Sequence, residues 1–171
     1  MLRKARIDTP GALHHGIVRG IERRKIFRSD YDRKNFLNRL GKLIPETQTG
    51  CFAWALIPNH VHLLLMTGLI PVSVLMSRLL TGYAVWFNKK YRRHGQLFQN
   101  RYKSILCQED PCLKELLRCI YSKPLRAGLV ENMKELDKYP WSGHSVLMDK
   151  TKQPWQNMDC SQRASERRNQ S

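Results

Sequence analysis

The sequence predicts an α+β sandwich in the ferredoxin-like βαββαβ order, with an antiparallel sheet, helices on one face and an added C-terminal helix. Three observations predict it. Short apolar runs alternate with longer stretches of helical periodicity, the helical stretches carry their own start and stop signals, and apolar patterning fades past Leu147. After a basic arm, residues 14–19 read as a short strand ending at Gly20. Ser29 and Asp30 are candidate N-caps for a helix over about 31–44, where Phe36, Leu37, Leu40 and Ile44 recur at helical spacing and Pro45 is the expected stop. Residues 52–57 and 62–66 are apolar strands joined through Pro58-Asn59. A second helix follows Pro71, with Val72, Leu75, Leu79, Tyr83 and Trp86 on one stripe. Residues 96–107 are expected as a fourth strand. A third helix over about 110–122 buries Leu113, Leu116, Leu117 and Ile120 and stops before Pro124. Residues 1–147 thus form one domain, and the polar residues 148–171 are expected as a disordered tail.

Composition narrows the function. A chain of 171 residues with 42% hydrophobic and 9% aromatic content can bury a core. No apolar run approaches the roughly 20 residues of a membrane span, and the first residues lack a signal peptide's apolar stretch, so a cytoplasmic protein is expected. The five cysteines form no Cys-x-x-Cys pair, which argues against a disulfide framework and a zinc knuckle.

The net charge is +16, from 30 Lys and Arg against 14 Asp and Glu. A balance this basic points to a polyanion, most often nucleic acid. Residues 1–28 and 89–103 together hold +12 of it. The second cluster interleaves its cations with Tyr91, Phe98 and Tyr102, which suits an unpaired strand of nucleic acid. The predicted contacts are Arg19, Arg23, Arg24, Lys89, Lys90, Arg92, Arg93, Arg101, Tyr102 and Lys103. A solvated helix end followed by an ordinary strand is the bland alternative.

The sharpest motif is Ile57-Pro-Asn-His-Val-His-Leu-Leu-Leu65. On a strand, His60 and His62 share one face and Val61 points to the other, into the core. Two imidazoles on one face can hold a divalent metal if a third ligand comes from another element.

Pro58-Asn-His-Val-His-Leu-Leu-Leu65 resembles the HUH motif of single-strand DNA transposases with one catalytic tyrosine, the IS200-like superfamily, in its REP-associated tyrosine transposase branch. The resemblance runs from about Arg6 to Leu147. It includes His14-His-Gly-Ile-Val-Arg-Gly20, Gly95-Gln-Leu-Phe-Gln-Asn-Arg-Tyr-Lys-Ser104, Pro124-Leu-Arg-Ala-Gly-Leu-Val130 and Tyr139-Pro-Trp-Ser142. It implies cleavage of single-stranded DNA beside an imperfect hairpin through a tyrosine–phosphate link. It further implies Mg²⁺ or Mn²⁺ on His60 and His62, a homodimer, and a bacterial, nucleoid-associated setting.

The chain departs from that pattern where the nucleophile should be. The family reads Tyr-Ile-x-x-Asn-Pro, whereas this chain reads Cys119-Ile-Tyr-Ser-Lys-Pro124. Cys119 takes the tyrosine position and Lys123 the position of the third ligand, one turn later on the same face. An ammonium cannot ligate a metal. Tyr121, the possible substitute, lies about 200° around the helix from Cys119. The expected function is a transposase-type protein acting on single-stranded or hairpin DNA, with cleavage impaired in this copy. A non-catalytic hairpin-binding or regulatory protein is the alternative, and a general RNA-binding module a weaker one.

Overall fold

The computed structural model describes residues 10–99, 101–107 and 110–157, the side chains of 110–113 excepted. Four strands, β1 (Leu13–Arg19), β2 (Gly50–Ile57), β3 (His60–Met66) and β4 (Lys103–Cys107), form one antiparallel sheet in the order β2-β3-β1-β4. The central pair sets Arg19 opposite His60, Ile17 opposite His62 and Val18 opposite Val61. Directly opposed residues share a face, so this register sorts every side chain of the sheet.

One face carries Val18, Trp54, Leu56, Val61, Leu63 and Leu65. Helices α1 (Asp30–Thr47) and α2 (Val72–Lys90) cover it with Phe36, Leu40, Leu75, Met76, Leu79 and Tyr83. These two are the expected helix layer. The C-terminal helix α3 (Asp110–Tyr121) lies on the other face, where Ile120 packs with Phe52, Ala55, Leu64 and Cys107. Phe52 and Ala53 both point to that face because the β2 register shifts between Cys51 and Ala53, a bulge that places two successive side chains together. Helix α3 contacts β2 and β3. Through Ile120 it also reaches Cys107 at the end of β4.

Strand β2 is apolar on both faces because both are covered, and its outer edge is covered too. Leu56 N donates to the Trp141 carbonyl at 2.8 Å, and Asn157 N donates to the Cys51 carbonyl at 2.7 Å. Gln156 is buried, accepts from Trp54 Nε1 at 2.8 Å and donates to the Gly143 carbonyl at 3.1 Å. Residues 148–157, expected as the start of a disordered tail, are therefore docked on the domain, anchored by one buried amide that polarity patterning could not single out. Residues 158–171 of that tail, and the basic arm up to residue 9, lie outside the described residues.

Three boundaries differ from expectation. Helix α1 passes through Pro45 to Thr47. A proline there removes one bond to the Gly41 carbonyl, and Thr47 Oγ1 ties the final turn to the Leu43 carbonyl at 2.7 Å. Gly41 has its own role, since a Cβ there would sit 2.8 Å from the Trp155 ring. Strand β4 starts at Lys103, not 96. Ahead of it, Gln99 N bonds the Arg19 carbonyl at 2.8 Å and Ile21 N bonds the Leu97 carbonyl at 2.9 Å. The segment follows the end of β1 without joining the strand. Finally, Pro124 starts rather than blocks a helix, sitting in the first turn of α4 (Lys123–Arg126) right after α3. Short helices α5 (Met133–Lys138) and α6 (Gly143–Leu147) follow. Among the described residues, no helix is long and apolar enough to cross a membrane.

Asp32 joins the two long helices. Its fully buried carboxylate accepts from the Arg28 and Ser29 backbone amides at 2.8 and 3.1 Å, from Lys90 Nζ at 2.7 Å and from the Tyr91 hydroxyl at 2.6 Å. Burial alone would raise its pKa. The bonds from Lys90, Tyr91 and Arg28 outweigh that and hold it below the ordinary carboxylate value. Asp32→Ala should cost about 2–4 kcal/mol by orphaning these donors. A thermal melt should show Tm lower by roughly 5–15 °C. Because the folded pKa is depressed, the wild-type advantage should be complete above about pH 4 and disappear as pH falls through the folded value. An unchanged Tm would contradict the assignment.

Candidate nucleic-acid interface

The face opposite α1 and α2 carries the histidines. His60 and His62 alternate with Val61 on β3, and their rings lie 5.0 Å apart at 80°. His15, on β1, joins them, with its Nε2 3.0 Å from His62 Nδ1. It sits opposite Leu64, two residues along from His62, and reaches its partner diagonally across the strands. His60 Nδ1 lies 2.7 Å from the Asn59 side-chain oxygen. That oxygen accepts, so Nδ1 carries the proton and Nε2 keeps its lone pair. His62 Nε2 is buried without a hydrogen-bond partner.

All three imidazoles are neutral at pH 7. Burial, followed by the Lys123 and Lys103 charges, brings His15 down to about 4. Burial, then Arg19 and Lys123, brings His60 to about 4. Burial, then His60, Lys123, His15 and Arg19, brings His62 to about 2. Lys123 acts on every member of the cluster. Helix α3 ends at Tyr121 and Lys123 opens α4, so Cys119 and Lys123 do not share one helix as expected; the Lys123 charge still reaches all three imidazoles.

Tyr121 is turned away. Its hydroxyl donates to the Phe52 carbonyl at 2.9 Å, and its ring lies 5.8 Å from that of His144. Phe52 is at the bulged end of β2, whereas His60 pairs with Ile57 at the other end. Cys119 is half-buried, and its thiol lies 3.8 Å from Arg126 Nη1.

Of the predicted contact residues, the structure brings three together. Arg19, Arg101 and Lys103, with Ile17 and Gln99, line a groove of about 180 Å³. Ile17 pairs with Lys103 on one side and His62 on the other, so the groove adjoins the histidines. The other seven do not line it. Lys90 is committed to Asp32, and Arg24 pairs with Glu22 at 3.0 Å. Arg93 bonds Asn88 at 2.8 Å and lies over Phe87. Arg23, Lys89 and Arg92 are exposed outside it. Tyr102 is 8% exposed and packs in the core, so its ring is no open stacking platform. Sequence reasoning passed over His15, Ile17 and Gln99 as site residues, because their roles come from cross-strand pairing that one strand's spacing does not reveal.

Residues 10–118 match the model of the family described as Transposase IS200 like. The chain belongs to the IS200-like transposase family. A structure of the REP-associated tyrosine transposase bound to a REP hairpin is similar, at 16% identity and a TM-score of 0.69, over 92% of this chain and 98% of that one. At that identity the likeness shows the fold. A candidate transposase from Deinococcus radiodurans R1 aligns over 69% of this chain and 95% of its own, at 16% identity and a TM-score of 0.48. No curated protein matches the chain at a significant level.

Members of this family that carry the HUH motif are typically metal-dependent, and the donor set here fits a divalent cation only in part. His60 and His62 offer neutral nitrogens, one of them an orphaned Nε2. Among the described residues, no group of three His, Cys, Asp or Glu side chains is placed to hold a metal ion. The Lys123 charge lowers the pKa of both imidazoles, and it opposes a second cation there. Among the described residues the set does not complete a divalent site.

The histidines also set a pH dependence. The unfolded imidazoles take up protons near pH 6.5, whereas the folded ones refuse them until about pH 4 or below. Stability should therefore fall as pH drops from about 7 to 5. Urea unfolding at the two pH values should show the loss, and His62→Gln should reduce it. Equal loss in the variant would contradict the burial of a neutral His62.

Proposed function

We propose that this IS200-like transposase chain binds single-stranded or hairpin DNA at the groove where β1 ends and β4 starts, and that strand cleavage is impaired in this copy. The observations that support the reading are that the Lys123 charge lowers the pKa of all three imidazoles and that the Tyr121 hydroxyl donates to the Phe52 carbonyl. Phosphates would run over Arg19, Arg101 and Lys103 toward the histidines, where a bound phosphate meets the Lys123 ammonium. The hairpin bound by the REP-associated relative supports DNA of that form as the ligand.

Cleavage needs an acceptor for the phosphoryl group and a positive centre that polarises the phosphodiester. Cys119 stands where the family has tyrosine, and Lys123 where it has the third ligand. Lys123 can neutralise a phosphate oxygen, yet it presents no lone pair to a metal. Binding is thus retained in the proposal and bond cleavage is not. Homodimer formation, as the resemblance implies, is part of the same proposal.

Purified protein is incubated with labelled hairpin DNA bearing single-stranded flanks, with Mn²⁺ present. Wild type should give no covalent adduct, and Cys119→Tyr/Lys123→Asn should give one. A wild-type adduct that disappears in Tyr121→Phe would overturn the reading. A general RNA-binding role predicts equal affinity for unrelated RNA, which the same protein can be titrated with.

A further inference from the structure

A second cavity lies beside the cationic groove and shares a wall with it. It measures about 320 Å³ and is lined by Ser73, Met76, Ser77, Leu80, Arg101 and Tyr102. Arg101 also lines the groove with Arg19 and Lys103. Arg101 thus borders both a strip of positive charge and a pocket of mixed character.

The pocket walls have distinct chemistry. Met76 and Leu80 are one turn apart on α2 and give an apolar side. Ser73 and Ser77, also one turn apart, place hydroxyls that donate and accept. Tyr102 is held in the core next to Gly16 and Met76, so it forms a fixed wall. Arg101 is exposed and supplies a planar cation that can stack on a ring or bond its edge. No lining residue is acidic. A flat heteroaromatic ring with polar edges matches these walls, and its volume requirement is met.

We infer that this cavity receives the base of one unpaired nucleotide, turned out of the DNA strand whose phosphates lie in the adjoining groove. The inference rests on the proposed DNA-binding reading and names a subsite within it. Unpaired bases are taken into pockets of this kind because every base has a face to stack and an edge to hydrogen-bond, and turning one out of a single strand costs little. Arg101 is the hinge of the arrangement, with phosphate on one side and base on the other. A cavity that merely reflects loose packing between α2 and residues 101–102 would bind no base and would tolerate filling.

The test uses the full chain and two DNA hairpins, one blunt and one with a short unpaired flank. In the flanked hairpin, 2-aminopurine and then an abasic site are placed at each flank position in turn. One position should change its fluorescence on binding, and the abasic site there should weaken binding about fivefold or more. Leu80→Trp, which fills the cavity, should weaken the intact flanked hairpin by a similar factor and remove the abasic effect. Affinity for the blunt hairpin should stay as in wild type. If Leu80→Trp lowers Tm, Ser77→Trp at the exposed rim closes the mouth instead and should give the same pattern. No abasic effect at any position, or an abasic effect undiminished in the filled variants, would overturn the subsite while leaving DNA binding intact. Failure of wild type to bind either hairpin would overturn the DNA-binding reading and the subsite together.

Discussion

Pairing of β1 with β3 sets Arg19 opposite His60 and Ile17 opposite His62, and the rest of the molecule depends on that register. It sends Val18, Val61, Leu63 and Leu65 under α1 and α2, and it sends the histidines and their neighbouring cations to the opposite face. A slip of one residue would exchange the faces and put imidazoles into the apolar core. The register is protected from both sides. The large apolar cluster fixes one face, and Ile120 with Phe52, Leu64 and Cys107 fixes part of the other. The groove forms at the end of β1 and the start of β4, where Ile17, Arg19 and Lys103 lie, away from the Cys107 end that packs with Ile120.

Charge on this surface serves two purposes that counting cannot separate. Lys90 belongs to the same basic run as Lys103, yet it holds Asp32 and so joins α1 to α2. Arg28 lies over the Tyr91 ring at 4.4 Å, which adds to the same junction. Arg19, Arg101 and Lys103 have a different situation, converging from two places in the sequence on one groove. Lys123, from a helix far along the chain, adds its charge at the histidines. Its field there favours a phosphate and opposes a metal ion, which is the physical reason that binding and cleavage separate in the proposed function.

Much of the fold is legible in the sequence because its signals are local. The N-cap at Ser29, the alternation His60-Val61-His62 and the stripe on α2 each predict their element without outside help. Helix geometry alone sets Tyr121 about 200° around from Cys119, and the Tyr121 hydroxyl is bonded to the Phe52 carbonyl. What escapes is set by particular partners. Pro45 is tolerated within α1 because Thr47 ties that last turn to the Leu43 carbonyl, and residues 148–157 are held by Gln156 against Trp54, Gly143 and Cys51. His15 enters the cluster through a diagonal across two strands. Tyr102, which patterning places beside exposed cations, is turned inward where strand β4 begins.

The central claim is that protein cations, not a bound metal, hold the DNA. Titration of a flanked hairpin across a range of salt, with and without EDTA, tests it most directly. The affinity should be unchanged by EDTA, and the logarithm of the binding constant should fall with that of salt with a slope of about −3, as four phosphate-neutralising side chains on single-stranded DNA require. Loss of binding on chelation, restored by Mg²⁺ or Mn²⁺, would contradict the account.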